Sequence, residues 1–168
     1  MGKINKHPPV KLIAGLIFRE QDILNAAQAC LRKRFGKIDF ESQALAFNHT
    51  DYYQEEFGDN LLRKFVSFKK PADPQALAEI KIFTNKIEQG LSKHGCRRIN
   101  IDPGYLNLSK LILATTKDYS HRIYLKKGIY AEVALFYQDK SFKPWPFNCN
   151  PKKTPANRKN FLQGIIFI

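Results

Sequence analysis

Two amphipathic helix patterns, each flanked by strand-like apolar runs, constrain the fold of this chain more than any other feature. The first is QDILNAAQACLRKRFG (residues 21–36), with apolar residues at helical spacing, a basic last turn and a final glycine. The second is ADPQALAEIKIFTNKIEQGLSKHG (residues 72–95), which begins with Asp73 as N-cap and Pro74 at the first helical position. Each pattern predicts a helix that buries one face. The predicted buried stripe of the second helix is Leu77, Ile80, Phe83 or Thr84, Ile87 and Leu91.

Four runs around these helices are rich in the β-branched and aromatic residues that favour strands. They are VKLIAGLIF (residues 10–18), IDFESQALAF (38–47), LLRKFVSFKK (61–70) and RRINID (97–102). The resulting order of elements, β-α-β-β-α-β, is that of ferredoxin-like folds. We therefore predict an α+β fold with a ferredoxin-like core, in which an antiparallel sheet carries two helices on one face.

The rest of the chain predicts an extension of this core. LSKLILATTK (residues 108–117) fits either a short helix or an apolar strand, and a β-hairpin turning at Lys127-Gly128 follows it. Residues 143–155 are basic and proline-rich and predict a loop, after which Thr154 serves as N-cap of a short terminal helix. Because no internal repeat is visible, residues 1–168 are predicted to form a single domain.

Positive charge is concentrated in the second half of the chain. The formal net charge is +13, and residues 1–84 carry 13 basic and 10 acidic side chains whereas residues 85–168 carry 15 and 5. Such a basic half favours an anionic partner, either a small molecule or a nucleic acid. A lysine-rich surface that only keeps the protein soluble explains the same charge equally well.

The cysteines and the apolar runs indicate the compartment. Cys30, Cys96 and Cys149 are odd in number and widely spaced, so neither a disulfide framework nor a structural zinc site is expected. The longest early apolar run, residues 12–18, is too short to span a membrane and is flanked by charges. We expect a cytoplasmic protein without a membrane partner.

Sequence motifs of several common activities are missing from the chain. It contains no G-x-x-x-x-G-K-[ST] phosphate loop, no G-x-G-x-x-G dinucleotide fingerprint, no G-x-S-x-G elbow and no H-E-x-x-H zinc motif. RRINID also lacks the paired aromatic residues of an RNA-recognition strand. Chemistry must therefore come from a constellation of separate residues.

Three residues are candidates for catalysis. Asp102 ends the fourth predicted strand and precedes a turn at Pro103-Gly104, where side chains often converge on a ligand. His121 is one of four histidines and can transfer protons near neutral pH. Glu132 lies on the hairpin strand that can bring it close to His121. Alone, Asp102 is also typical of the start of an Asx-turn, and His121 of a hairpin histidine that bonds to the backbone.

Other polar residues near these three are candidates for ligand binding. Cations can hold phosphate or carboxylate groups, while hydroxyl groups donate further hydrogen bonds. The predicted ligand-binding residues are Tyr105, Lys110, Thr115, Thr116, Lys117, Arg122, Asp51 and Tyr52.

A divalent metal ion is compatible with the acids but is not required by their spacing. Oxygen ligands suited to Mg²⁺ could come from Asp51, Glu55, Asp102 and Glu132, together with His121. The metal and any other cofactor therefore stay unknown.

Four segments share the pattern of a known family. They are PVKLIAGLIF, FNHTDYYQEEFGDNLLRKFVSF, INIDPGYLNLSKLILATTKDYSHRIYL and GIYAEVALFY. Together they resemble a bacterial family known as domain of unknown function 4416, over about residues 9–146. The resemblance implies membership of an uncharacterised family, and it assigns no role to any residue.

Three functions are compatible with these features. The first is a small enzyme or binding protein for a phosphate-bearing small ligand, for instance a nucleotide. The second is a nucleic-acid-binding module that uses the basic half of the chain. The third is a non-catalytic assembly subunit, for example a homodimer that pairs through a sheet edge. We favour the first, because cations, hydroxyl groups, His121 and acids cluster in one stretch of sequence.

Overall fold

An antiparallel sheet forms most of the structure, a computed structural model that describes residues 2–47 and 54–145. The strands are β1 (Lys11–Phe18), β2 (Ile38–Glu41), β3 (Leu45–Ala46), β4 (Leu62–Phe68), β5 (Ile99–Leu106), β6 (Lys110–Thr115), β7 (Ile123–Lys126), β8 (Ile129–Gln138) and β9 (Ser141–Pro144). Their order is β2-β4-β1-β5-β6-β8-β7, and β3 pairs with β4 while β9 pairs with β8. The predicted α+β class with an antiparallel sheet is confirmed.

Three helices accompany the described sheet: α1 (Gln21–Phe35), the single turn α2 (Gln54–Phe57), and α3 (Leu77–Gly90), which follows a 3₁₀ turn at Pro74–Ala76. The predicted C-cap of α1 is present, whereas the predicted N-cap Asp73 begins the 3₁₀ turn that leads into α3 and not α3 itself. Gly36 follows α1 with φ of +90°, and its N–H donates to the carbonyl of Arg32 at 2.9 Å. The carboxylate of Asp73 accepts from the N–H of Gln75 at 2.9 Å.

The predicted end of the second long helix is wrong. That helix ends at Gly90 and does not reach Gly95. His94 and Gly95 adopt left-handed φ values of +52° and +80°, which an α-helix cannot accommodate. The backbones of Lys93 and Cys96 pair across these two residues and close a tight turn.

β1 lies near the middle of the sheet, and its side chains alternate between the two faces. On one face it contributes Leu12, Ala14, Leu16 and Phe18 to the main core, which also contains residues of α1, β4, α3 and β5. On the other face Ile13 and Ile17 pack in two smaller clusters. Both long helices therefore cover the same face of the sheet.

The predicted turn at Pro103-Gly104 is wrong, because β5 continues through both residues to Leu106. β1 pairs with the whole length of β5, including Pro103 opposite Ala14 and Gly104 opposite Ile13, and so holds the chain extended. The reversal comes later, at Asn107, whose side-chain oxygen accepts from the backbone of Ser109 and Lys110.

After β5 the structure selects between the alternatives that the sequence left open. Residues 108–117 contain a strand, β6, and the hairpin of β7 and β8 turns at Lys127 and Gly128, whose φ values of +53° and +73° suit a two-residue turn. Lys143 and Pro144 belong to β9, so the predicted loop does not begin at residue 143. The rest of that loop and the predicted helix at Thr154 lie outside the described residues. None of the described helices has the length and apolar character needed to cross a membrane.

Candidate functional site

β5 and β6 separate after a short paired segment. Their pairing covers only Gly104–Leu106 of β5 and Leu111–Leu113 of β6. Pro103 has no backbone N–H, so it cannot continue the ladder toward β6. Within residues 2–47 and 54–145, the edge of β5 from Ile99 to Pro103 consequently lacks a neighbouring strand on this side, whereas β1 pairs with its other edge.

Two charged side chains of α3 hydrogen-bond to the backbone of β5 along this edge. The ammonium group of Lys81 donates to the carbonyl of Ile101 at 2.7 Å, and the carboxylate of Glu88 accepts from the N–H of Ile101 at 2.7 Å. Lys81 and Glu88 are only 5% and 4% exposed. They hydrogen-bond both the N–H and the carbonyl of one buried residue, and their ammonium and carboxylate groups lie 3.9 Å apart.

Asp102 is held in a fixed orientation beside this pair. Its Oδ1 lies 3.3 Å from Nζ of Lys81, and its Oδ2 accepts from the side-chain amide of Asn100 at 2.8 Å. Asn100 is buried, but the Asp102 side chain keeps 32% of its surface exposed. The carboxylate is therefore both anchored and accessible.

Arg97 connects Glu88 with Glu56 of α2. It donates to Glu56 at 2.6 and 2.8 Å and to Glu88 at 3.2 Å. The hydrogen bonds from Arg97 lower the pKa of the Glu56 carboxyl below its ordinary value. Burial raises the pKa of the Glu88 carboxyl, although the charges of Lys81 and Arg97 oppose this rise.

A polar cavity of about 510 Å³ lies where β5 and β6 separate. Side chains of α3, β4, β5 and β8 and the end of β6 line it. Its basic lining residues are Arg63, Lys81, Arg97, Lys117 and Arg122, and its acidic ones are Glu88, Asp102 and Glu132. With five basic and three acidic groups the lining is formally positive, which favours an anionic ligand.

The wall formed by β8 and the segment before β7 holds an arginine in place. Nε of Arg122 donates to Oε2 of Glu132 at 2.7 Å, and its Nη1 donates to the carbonyl of Lys117 at 3.0 Å. The guanidinium carbon also lies 4.7 Å from the centre of the Tyr119 ring. Nε2 of His121 lies 3.2 Å from the same oxygen of Glu132. The predicted approach of His121 and Glu132 is therefore present.

Six of the predicted site residues line this cavity. They are Asp102, Thr115, Thr116, Lys117, Arg122 and Glu132. Sheet pairing explains their convergence, because Leu113 is the pairing partner of both Gly104 and Glu132. His121 lines an adjoining cavity of about 300 Å³, which shares Glu132 with the larger one.

Two predicted residues lie elsewhere. Tyr105 packs with Leu77 and Ile112 in a core cluster, and burial raises the pKa of its hydroxyl group. Lys110 begins β6 and therefore lies at the opposite end of that strand from Thr115. Asp51 and Tyr52 lie outside the described residues.

Nine lining residues were not predicted from the sequence, and four of them form the hydrogen-bonded network described above: Lys81, Glu88, Arg97 and Asn100. A signal for the first two was present, because Lys81 and Glu88 follow Leu77 by four and eleven positions and so share the buried face of α3. No comparable sequence pattern marks Arg97 or Asn100. The role of Arg97 depends on contacts with α2 and α3, and Asn100 in turn contacts Arg97 and Asp102.

Two other observations bear on possible ligands. Among residues 2–47 and 54–145, no three His, Cys, Asp or Glu side chains are grouped so that they could hold a metal ion. A larger cavity of about 930 Å³ lies between the N-terminal residues and the β5–β6 and β8–β9 turns. That cavity is mostly apolar and contains none of the clustered acids and bases described above.

Comparisons with known proteins gave one match. A family model described as a domain of unknown function (DUF4416) matches residues 8–163. No curated protein and no solved structure matches the chain.

Proposed function

The chain belongs to the DUF4416 family of domains of unknown function, and on that premise we propose that it binds a phosphate-bearing small ligand between β5 and β6. The observation that carries this proposal is the convergence of five basic side chains on one cavity of about 510 Å³. That volume is within the range of about 300–1,000 Å³ that is usual for small-molecule sites.

Arg122 is the side chain best prepared to hold the phosphate. Its side chain is 14% exposed, and its contacts with Glu132, Lys117 and Tyr119 fix the guanidinium group before any ligand arrives. Those hydrogen bonds use Nε and Nη1, and no residue in the described part of the chain accepts from Nη2. An arginine that is already oriented loses little conformational entropy on binding, which favours affinity.

We expect inorganic phosphate to stabilise the wild-type protein and to do so much less in Arg122→Ala. At about thirty times its dissociation constant, a ligand adds about 2 kcal/mol to the free energy of unfolding. For a chain of this size that is a rise in Tm of about 4–8 °C. The measurement is a thermal-shift titration in which chloride replaces phosphate at equal ionic strength.

Arg98→Ala is the matched control for this titration. Arg98 is also an arginine in an ion pair, with Glu20, but it does not line the cavity. It should keep the full phosphate shift although the protein loses the same charge. Equal shifts in the Arg122→Ala and wild-type proteins, or no shift beyond that of chloride, contradict the proposal.

Asp102, His121 and Glu132 keep their predicted place as catalytic candidates. Two of them line the cavity and the third contacts Glu132, so a bound ligand would lie near groups that can transfer protons. Catalysis stays a prediction from the sequence, as do a cytoplasmic location and the binding of nucleic acid. Nucleic-acid binding differs from small-ligand binding in its steep weakening with salt.

We also infer a relation to ferredoxin-like folds. The support is the run β2-β4-β1-β5 within the sheet, with α1 directly after β1 and α3 after β4. β6, β7, β8 and β9 extend this arrangement beyond β5. In this interpretation the ferredoxin-like part ends at β5 and the extension begins at β6, so the cavity lies between the two.

A second proposal concerns assembly, and the exposed edge of the sheet supports it. β7 is the last strand of the described order, and its Ile123, Tyr124 and Leu125 are 70%, 58% and 39% exposed. Edge strands of monomers usually carry charges that prevent pairing, whereas Lys126 is the one charged residue of β7. We propose that two copies pair through β7.

Ile123→Lys should convert this dimer into a monomer, because it places a second charge on the exposed edge strand. Size-exclusion chromatography with light scattering measures the mass directly. Lys143→Ala, on β9, is the control that leaves β7 unchanged. A wild-type protein that is monomeric at about 100 μM, a concentration far above the Kd of a stable dimer, contradicts the assembly proposal.

A further inference from the structure

We propose that the ligand is a phosphorylated sugar or polyol rather than a nucleotide. This inference rests on the proposed phosphate site and concerns the part of the ligand that lies beyond the phosphate. The phosphate is placed near Lys117 and Arg122, and the rest of the ligand extends toward Asp102 and α3.

The lining of the cavity is unsuited to a nucleobase. Proteins usually hold bases against aromatic or broad apolar surfaces, because stacking supplies much of the binding energy. Among the described residues that line this cavity none is aromatic, and the apolar ones are Leu113 and Ala114. The remaining lining consists of charged, amide and hydroxyl side chains.

Asp102 is suited to hydroxyl groups. A carboxylate repels phosphate but accepts hydrogen bonds from hydroxyl groups, as acidic residues do with ribose hydroxyls in dinucleotide sites. Asn100 and Lys81 anchor the Asp102 carboxylate, and a third of its side chain stays accessible. It therefore presents an oriented acceptor to the cavity.

The partners of Asp102 favour a neutral donor over an ammonium group. Nζ of Lys81 already lies 3.3 Å from Oδ1 of Asp102, so a second ammonium group there would be repelled. A hydroxyl group donates a hydrogen bond without adding charge. Asn85 of α3 also lines the cavity, and its amide can both donate to and accept from hydroxyl groups.

The test compares ligands that share a phosphate and differ in the rest of the molecule. Isothermal titration of the wild-type protein would use inorganic phosphate, glycerol 3-phosphate, ribose 5-phosphate, glucose 6-phosphate and adenosine 5′-monophosphate. At least one of the three polyol or sugar phosphates should bind ten or more times more tightly than inorganic phosphate. Adenosine monophosphate contains ribose 5-phosphate plus a base, and it should bind no more tightly than ribose 5-phosphate.

The variant Asp102→Asn tests the binding of the sugar or polyol part separately from the binding of the phosphate. It keeps the shape of the side chain but removes its charge, so affinity for inorganic phosphate should be unchanged or higher. The preference of the best sugar or polyol phosphate over inorganic phosphate should fall to less than three-fold. Circular dichroism and thermal unfolding confirm that the variant is folded, and the wild-type comparison stands without it.

The outcomes distinguish this inference from the proposed function. If inorganic phosphate binds but no sugar or polyol phosphate binds better, or if adenosine monophosphate binds ten times more tightly than ribose 5-phosphate, the inference is overturned and the phosphate site stands. If none of the five compounds binds, both fail.

Discussion

Replacement of Glu88 by alanine is expected to lower the free energy of unfolding by about 3 kcal/mol, because the buried N–H of Ile101 loses its acceptor and the buried ammonium group of Lys81 keeps only Asp102 as a counter-ion among the described residues. The variant loses the acceptor for the N–H of Ile101 and the buried carboxylate beside Lys81 and Arg97. Urea unfolding followed by circular dichroism measures the change. Lys86→Ala, at an exposed position of the same helix, should stay within about 0.5 kcal/mol of the wild-type value.

The variant Glu88→Gln tests the charge of Glu88 separately from its hydrogen bond to the N–H of Ile101. Burial raises the pKa of this carboxyl above its ordinary value of 4.5, so the folded state holds the proton more tightly than the unfolded chain. The stability from this effect is complete below pH 4.5 and is lost as the pH rises through the folded pKa. Wild-type stability should therefore fall relative to that of Glu88→Gln as the pH rises from 4.5. Two results would contradict the role assigned to this buried network. One is a stability difference between the wild type and Glu88→Gln that does not change with pH, and the other is a loss of less than about 1 kcal/mol in the free energy of unfolding of Glu88→Ala.

Gly104→Ala is expected to destabilise the protein by about 3 kcal/mol or more, at or above the upper end of the usual cost of overpacking. A Cβ atom on Gly104 would lie 2.2 Å from the carbonyl oxygen of Ile112 and 2.7 Å from Leu113. The first contact is with backbone, so β6 itself must move. Because β6 leads to Thr115 at the cavity wall, the same substitution should also weaken phosphate binding.

Gly90→Ala provides the comparison for this substitution. Gly90 ends α3, and a Cβ there meets no atom within 4 Å. Alanine is the better helix former by about 1 kcal/mol, so this variant should be as stable as the wild type or more stable. Thermal unfolding of the two variants, measured side by side, shows whether the loss of stability depends on the contact between Gly104 and β6. Similar changes in both would contradict the close approach of β5 and β6.

The helices could be predicted well because their signals are local. Gly36, Asp73 and Pro74 mark helix ends through the conformation or hydrogen bonding of a few neighbouring residues. The hairpin at Lys127 and Gly128 was predicted for the same reason. The end of α3 could not be predicted in this way, because Gly95 is typical of a helix stop but belongs to a separate tight turn with His94.

The course of β5 could not be predicted from its own residues. Pro103 and Gly104 are typical of turns, and only the pairing with β1, more than eighty residues earlier in the chain, keeps them extended. Pro103 instead ends the pairing with β6 and so opens the cavity. Pro103 is thus typical of a turn in its local sequence, but in this fold it limits the pairing between β5 and β6.

The candidate site was predicted in part. Clustering along the sequence identified Asp102, Lys117 and Arg122, and hairpin geometry identified the pair His121 and Glu132. The same clustering also included Tyr105 and Lys110. The face of β5 that carries Tyr105 and the end of β6 that carries Lys110 depend on strand bounds and a register that the sequence does not reveal. The buried charges of α3 were missed, since a lysine or glutamate within an amphipathic helix is ordinarily solvated.

A crystal structure with tungstate would show whether a phosphate-like anion binds between β5 and β6. Tungstate is a tetrahedral oxyanion whose anomalous scattering locates it without ambiguity. The structure predicts an anomalous peak inside the cavity, within hydrogen-bond distance of Arg122 and next to Lys117. Peaks confined to other surfaces, with the cavity empty at a tungstate concentration that protects the protein from thermal unfolding, would contradict the proposed phosphate site.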